Sequence, residues 1–253
     1  MVFHYPQYPT RNIPKLNLKI NNSDISQVHT FNFLGLTLTD TMSWKEHCHK
    51  IATKISKCIG IMSKMKRFLN QSTLLKIYNT LIHSHFHYAI LCWGFQNNRL
   101  KTLQKKAIRI ISNSRYNAHT DPLFKRLQIL KLDDIFKIQC IKFYYKYEHD
   151  MLPGYFSQFF TRNTQIHTHR TRQQGSLHLF PFKKSNTRNT IRHHIPTLIN
   201  SLPQNIRSKI HTHSLPTIKR TSKKYYLEQY PEHCQIPNCY TCNYRAQSHR
   251  ISP

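Results

Sequence analysis

Near the N-terminus apolar and polar residues alternate with period two. Leu16-Asn-Leu-Lys-Ile20 does so, Asn21-Asn22-Ser23 supplies turn chemistry, and Phe31, Phe33 and Leu34-Gly35-Leu36-Thr37-Leu38 alternate again. The pattern predicts strands at 15–20 and 31–38, paired as a hairpin or small sheet. Gly35 inside such a strand predicts a bulge or the close approach of another backbone. Residues 1–14, dotted with proline, read as irregular.

From Ser43 the period becomes helical. Ile51, Ile55, Cys58, Ile59, Met62, Met65 and Leu69 form one apolar stripe, while Lys45, Lys50, Lys54, Lys57, Lys64 and Lys66 occupy other faces. This predicts a helix of about 25 residues, with Ser43 as N-cap and Glu46 closing a capping box. A second helix starts near Ser72 and carries Leu74, Ile77, Tyr78, Leu81, Ile82, His85, Tyr88 and Ala89 toward Trp93-Gly94. A third spans 99–111, with Leu100, Leu103, Ala107, Ile110 and Ile111 inward and Lys101, Lys105, Lys106 and Arg109 outward. Short helices follow at about 122–130 and 133–149, the latter capped by Asp133.

The fold class read from these periods is mainly α: an N-terminal β-hairpin remnant, an amphipathic helical bundle, and a poorly structured basic tail. The divisions fall at 1–42 (hairpin), 43–152 (bundle), 153–230 (basic, Pro- and His-rich) and 231–253 (Cys/His tail). Within 153–230 the periods support only short helices, near 187–200 and 216–229.

Charge narrows the partners. The chain has 38 Lys and Arg against 10 Asp and Glu, a net +28, and 18 His besides. Such a balance repels itself unless a polyanion neutralises it. Basic residues recur along the whole length, interleaved with 14 Tyr and 14 Phe. That suits a groove tracking phosphates, with rings for stacking, better than a membrane anchor. No run approaches the roughly 20 apolar residues of a membrane span, and the opening Met-Val-Phe-His-Tyr-Pro lacks signal-peptide form. Cysteine is odd in number, at seven. Cys48, Cys58, Cys92 and Cys140 sit singly in helical patterns and read as buried thiols without disulfide partners, in an intracellular chain, nuclear or cytoplasmic.

Candidate chemistry is sparse. Two-metal phosphoryl transfer needs clustered carboxylates, and the only adjacent acids, Asp133-Asp134, stand where a helix start accounts for them. No catalytic residue and no catalytic divalent metal is expected. His83, His85 and His87 alternate, which spreads them around a helix; at least one is expected to pack on Tyr88 or Trp93. The tail reads Cys234-x4-Cys239-x2-Cys242-x6-His249, the raw material of a tetrahedral zinc site, with His249 or His233 as fourth ligand. The alternative is an accidental cysteine cluster.

Several segments, taken in order, carry a family likeness: Phe33-Leu34-Gly35, then Trp44 and a basic helix; Ser84-His85-Phe86-His87-Tyr88 through Trp93-Gly94; Leu-Gln-Lys-Lys-Ala-Ile-Arg-Ile-Ile at 103–111; and Pro122-Leu123-Phe124. Together they resemble the palm–thumb junction of jockey-type non-LTR retrotransposon reverse transcriptases. The opening Met-Val-Phe-His resembles the segment after the fourth palm motif, without the Lys-Thr pair that normally precedes it. The family's Tyr-x-Asp-Asp loop is absent.

The resemblance implies a truncated RNA-directed DNA polymerase fragment, with Phe33, Leu34 and Gly35 at a primer-grip-like position and thumb-like helices behind them. Lys50, Lys54, Lys57, Lys64, Lys101, Lys105, Lys106 and Arg109 are the expected contacts to RNA or DNA phosphates, which carry no sequence information. The rival readings are a stand-alone basic RNA- or DNA-binding module with a zinc-knuckle tail, and a non-functional relic. Strands kept without neighbours favour the fragment over the stand-alone module.

Overall fold

The computed structural model describes residues 1–4, 16–95, 98–166, 174–181, 190–234 and 239. Its strands depart from the expected pairing. β1 (Leu18–Ile20) pairs antiparallel with β2 (Ser23–Ile25), and β3 (Thr30–Phe33) with β4 (Leu36–Thr39), as two separate hairpins. The cause is turn chemistry. Asn21 (φ 47°) and Asn22 (φ 61°) close the first hairpin, and Leu34 (φ 46°) and Gly35 (φ 77°) close the second. Two consecutive residues at positive φ match the twist of the flanking strands and favour a two-residue loop. Gly35 is therefore a turn residue and not a strand bulge.

The long basic helix is α1 (Lys45–Met65), burying His47, Ile51, Ala52, Ile55, Ile59 and Met62. The capping box does not form. Trp44 takes the N-cap position without a side-chain cap. Ser43 instead ties the helix start to β4, its N–H donating to Thr39 Oγ1 at 2.9 Å and its hydroxyl receiving the Lys45 N–H at 3.4 Å.

The expected second helix is broken into pieces. In α2 (Gln71–Tyr78) the Asn70 side chain accepts the Thr73 N–H at 2.8 Å; a π-helical turn follows at Asn79–His83, then α3 (Ser84–His87) and α4 (Ile90–Trp93). Thr80 bonds back to the Lys76 and Ile77 carbonyls and Ser84 to the Thr80 carbonyl. Hydroxyls competing for helix carbonyls accompany such local irregularity. Ala89, left-handed at φ 48°, separates α3 from α4.

Then come α5 (Asn98–Ile111), α6 (Asp121–Arg126) and α7 (Leu132–Glu148), 3-10 turns at Gly154–Phe156 and Asn163–Gln165, and α8 (Ile191–Ser201), α9 (Gln204–Thr212) and α10 (Leu215–Glu228). The chain is mainly α, as its periods require. Asp133 does not cap α7: Lys131 holds that position, and Asp133 lies in the first turn.

One apolar core runs through all of this, from Ile51 and Ile55 past Tyr78, Trp93, Leu100 and Ile141 to Ile199, Ile210, Ile218 and Tyr226. α7 lies at its centre, with buried residues on most of its circumference. Gln104, buried in α5, is the polar joint of the bundle. It donates to Tyr78 Oη and to the Leu130 carbonyl and accepts the Leu132 N–H, each at 2.9 Å. Of the four thiols expected inside, Cys140 is buried, Cys48 and Cys58 are half-buried and Cys92 is exposed. Cys92 lies on the outer side of a four-residue helix, where helical spacing no longer reports burial. No disulfide joins the described cysteines, and no described helix is long and apolar enough to cross a membrane.

Candidate nucleic-acid interface

The β3–β4 hairpin is clasped onto the bundle by residues far apart in sequence. Its two faces are unlike. Thr37 and Thr39 are buried, whereas Phe31 and Phe33 are each 54% exposed and sit directly opposite Leu38 and Leu36. On the inner side the Thr37 N–H donates to Nδ1 of buried His47 at 3.3 Å. The His47 ring meets Trp44 and Trp93 edge-on, with centroids 6.2 and 5.9 Å away. Burial, and then Lys50 and Lys54, hold its pKa below the usual histidine value, so it stays neutral as an acceptor.

Trp93 Nε1 donates to the Tyr88 carbonyl at 3.0 Å, and the Tyr88 hydroxyl donates to the Leu34 carbonyl at the hairpin tip. Phe33, Leu34 and Gly35 are thereby held as an exposed tip, Leu34 at 73% exposure, with the Tyr88 ring beside Gly35.

On α1, Lys50, Lys54, Lys57 and Lys64 are exposed. Their spacing of four, three and seven residues places them in one stripe along α1, spanning about 21 Å at a rise of about 1.5 Å per residue. Lys50 Nζ reaches Asn32 Oδ1 of β3 at 3.4 Å, joining stripe to hairpin. Among the described residues none of these four enters an ion pair. The other candidates differ. Lys105 and Lys106 are exposed, but Lys101 pairs with Asp133 at 2.8 Å. Arg109 is half-buried and donates from Nε to the Ala118 carbonyl at 2.8 Å, a structural bond.

A second cationic cluster was not legible in the sequence. His83 and His87, one helical step apart, meet through their Nε2 atoms at 3.2 Å, and Gln139 Nε2 contacts His87 Nδ1 at 3.0 Å. Burial, then His87, Lys223 and Lys219, push the His83 pKa down to about 4. Burial, then Lys142 and Lys219, lower that of His87. The ring contact expected for this histidine trio goes from His83 to Tyr78, 5.8 Å between centroids. The lysine pairs 142/146 and 219/223, each four residues apart, were the available signal; that they face one another depends on the packing of α7 and α10.

The acids form no metal-holding cluster among the described residues. Asp134 accepts from Tyr230 Oη and pairs with Lys137 at 2.8 Å, Asp121 pairs with Lys131 at 2.9 Å, and Glu148 with Arg162 at 3.0 Å. The described group that could hold a metal is His119, Cys234 and Cys239, whose ligand atoms all lie within 4.8 Å of one another. Two of the tail residues named from spacing are present, joined by a histidine that spacing did not indicate; Cys242 and His249 lie outside the described residues. His233 lines the adjoining cavity with Arg115 and Arg126.

Over 123 residues, 46% of its length, the chain is 26% identical to the RNA-directed DNA polymerase from mobile element jockey of Drosophila funebris. The match covers 13% of that protein, so the chain corresponds to a small part of its length. No family model and no solved structure matches. The similarity supports a region related to a retrotransposon reverse transcriptase.

Proposed function

We propose that this chain is the nucleic-acid-holding part of such a polymerase, gripping template–primer through its phosphates and performing no synthesis by itself. The observation that carries the reading is the α1 stripe. Among the described residues Lys50, Lys54, Lys57 and Lys64 have no ion-pair partner, and Lys50 joins the row to the hairpin, while cations elsewhere, such as Lys101, Lys131 and Arg162, have acidic partners. A row about 21 Å long faces about six phosphates of one strand at roughly 3.4 Å each. Contacts of this kind fix register without reading sequence. The outward Phe31 and Phe33 support a hairpin that belongs to a larger assembly, with its tip at the primer-grip-like position.

The test is fluorescence anisotropy on duplex DNA and an RNA–DNA hybrid of about 20 base pairs. Replacing all four stripe lysines by glutamate should weaken binding equally across sequences and flatten the salt slope by about 3.6 units, at about 0.9 per lost contact. Reversing the ion-paired Lys101 should do far less. A loss from the Lys101 reversal as large as one quarter of the loss from the fourfold replacement, the same per charge reversed, would make the grip a matter of net charge and remove the stripe's role.

A further inference from the structure

We propose that His119, Cys234 and Cys239 bind a zinc ion that staples the C-terminal tail to the bundle. This goes beyond the phosphate grip and is independent of it. The sequence points to a site contained within the tail; the structure adds a histidine from the α5–α6 connection. His119 Nε2 lies 3.1 Å from Cys239 Sγ. Around a tetrahedral zinc, with Zn–S about 2.3 Å and Zn–N about 2.0–2.1 Å, ligand atoms sit roughly 3.5–3.8 Å apart. A group whose ligand atoms all lie within 4.8 Å of one another reaches that geometry by small side-chain rotations. Cys239 is 8% exposed, so one thiolate is shielded from solvent.

Both walls of the site are fixed by other bonds. On the bundle side, the Arg109 guanidinium holds the Ala118 carbonyl at 2.8 Å, immediately before His119. On the tail side, Tyr230 Oη receives the Lys131 N–H at 2.9 Å and donates to Asp134, while Lys125 pairs with Glu232 at 3.2 Å. These contacts bring Cys234 to the α5–α6 connection before any metal arrives. Binding a divalent ion to one neutral imidazole and two thiolates leaves the group electrically neutral. As each thiol binds it gives its proton to solvent, so no unpaired charge is left beside Arg115 and Arg126, which line the adjoining cavity.

The experiment uses the full purified chain under reducing conditions, with zinc content by mass spectrometry, affinity by chelator competition, and cobalt(II) absorption as the coordination probe. One zinc per chain is expected. His119→Ala and Cys234→Ser should each lower affinity at least tenfold with helical circular dichroism unchanged. His119→Cys should retain stoichiometric metal and raise the sulfur-to-cobalt charge-transfer absorption, which separates ligand loss from misfolding. If His119→Ala leaves affinity and the cobalt spectrum untouched while His249→Ala abolishes binding, the site lies wholly within the tail and the staple is refuted. Absence of stoichiometric metal from the unsubstituted chain overturns the proposal outright.

Discussion

Replacing Gln104 with leucine keeps the side-chain volume of a buried position close to constant and removes three hydrogen bonds. Gln104 is 1% exposed, and its partners include Tyr78, which is 0% exposed, and the backbone of Leu132, 1% exposed. None of these groups has water to turn to. Stranding a buried donor or acceptor costs about 1–3 kcal/mol. The two fully buried groups left stranded, the Tyr78 hydroxyl and the Leu132 N–H, cost about 2–6 kcal/mol, and the extra apolar surface of leucine returns about 1 kcal/mol. The net loss of roughly 1–5 kcal/mol is a large share of the 5–15 kcal/mol available to a typical domain.

Urea denaturation followed by circular dichroism measures it: at about 2–3 kcal/mol per molar, the midpoint should fall by about 0.4–2 M. Tyr78→Phe alone should cost less, and adding it to Gln104→Leu should cost less than the sum, because one stranded hydroxyl is removed. A midpoint shift under 0.3 M, or strict additivity, would refute the argument that Gln104 joins α2, α5 and α7.

Two further outcomes follow from local geometry. His83 has its pKa lowered from 6.5 to about 4, so between those values the unfolded chain binds a proton that the folded chain does not, and stability should fall as pH drops through that window. The full shift corresponds to about 3 kcal/mol, reduced by solvent access to about 1–2 kcal/mol; His83→Gln should flatten the stability difference between pH 7 and pH 4.5, and an unchanged slope would exclude His83 as its source. Ala89 sits at φ 48°, where a Cβ costs about 1–2 kcal/mol. Ala89→Gly should therefore raise the thermal midpoint, by about 1–3 °C, since the flexibility glycine adds to the unfolded chain offsets part of the gain; a fall would mean the kink before α4 is held by more than backbone preference.

The legible part of this molecule is what period and local chemistry dictate. The apolar stripe of α1 and the bounds of α5, α7 and α10 follow from side-chain spacing, because burying one face needs no knowledge of the partner. Spacing alone misplaced the strands, since Asn21-Asn22 and Leu34-Gly35 each turn the chain back before the two alternating runs can meet. α9 carries no readable period because only Ile206 and Ile210 are buried in it. The lysine stripe was visible as a helical row. What it could not reveal is which basic residues are already engaged: Arg109, outward by period, bends back to Ala118. Tyr88, Trp93 and His47 are brought to the hairpin only by the packed fold, and His119 reaches Cys239 across 120 residues. Long-range convergence of this kind leaves no trace in spacing.

The central claim, a phosphate grip built from unpaired cations, is tested most directly by the salt dependence of binding. With random-sequence duplex DNA and an RNA–DNA hybrid, log Kobs should fall linearly with log salt between about 50 and 200 mM. A grip of four or more phosphates predicts a slope of about −3.6 or steeper, with little difference between unrelated sequences. A slope near zero, or binding confined to a single sequence, would contradict it.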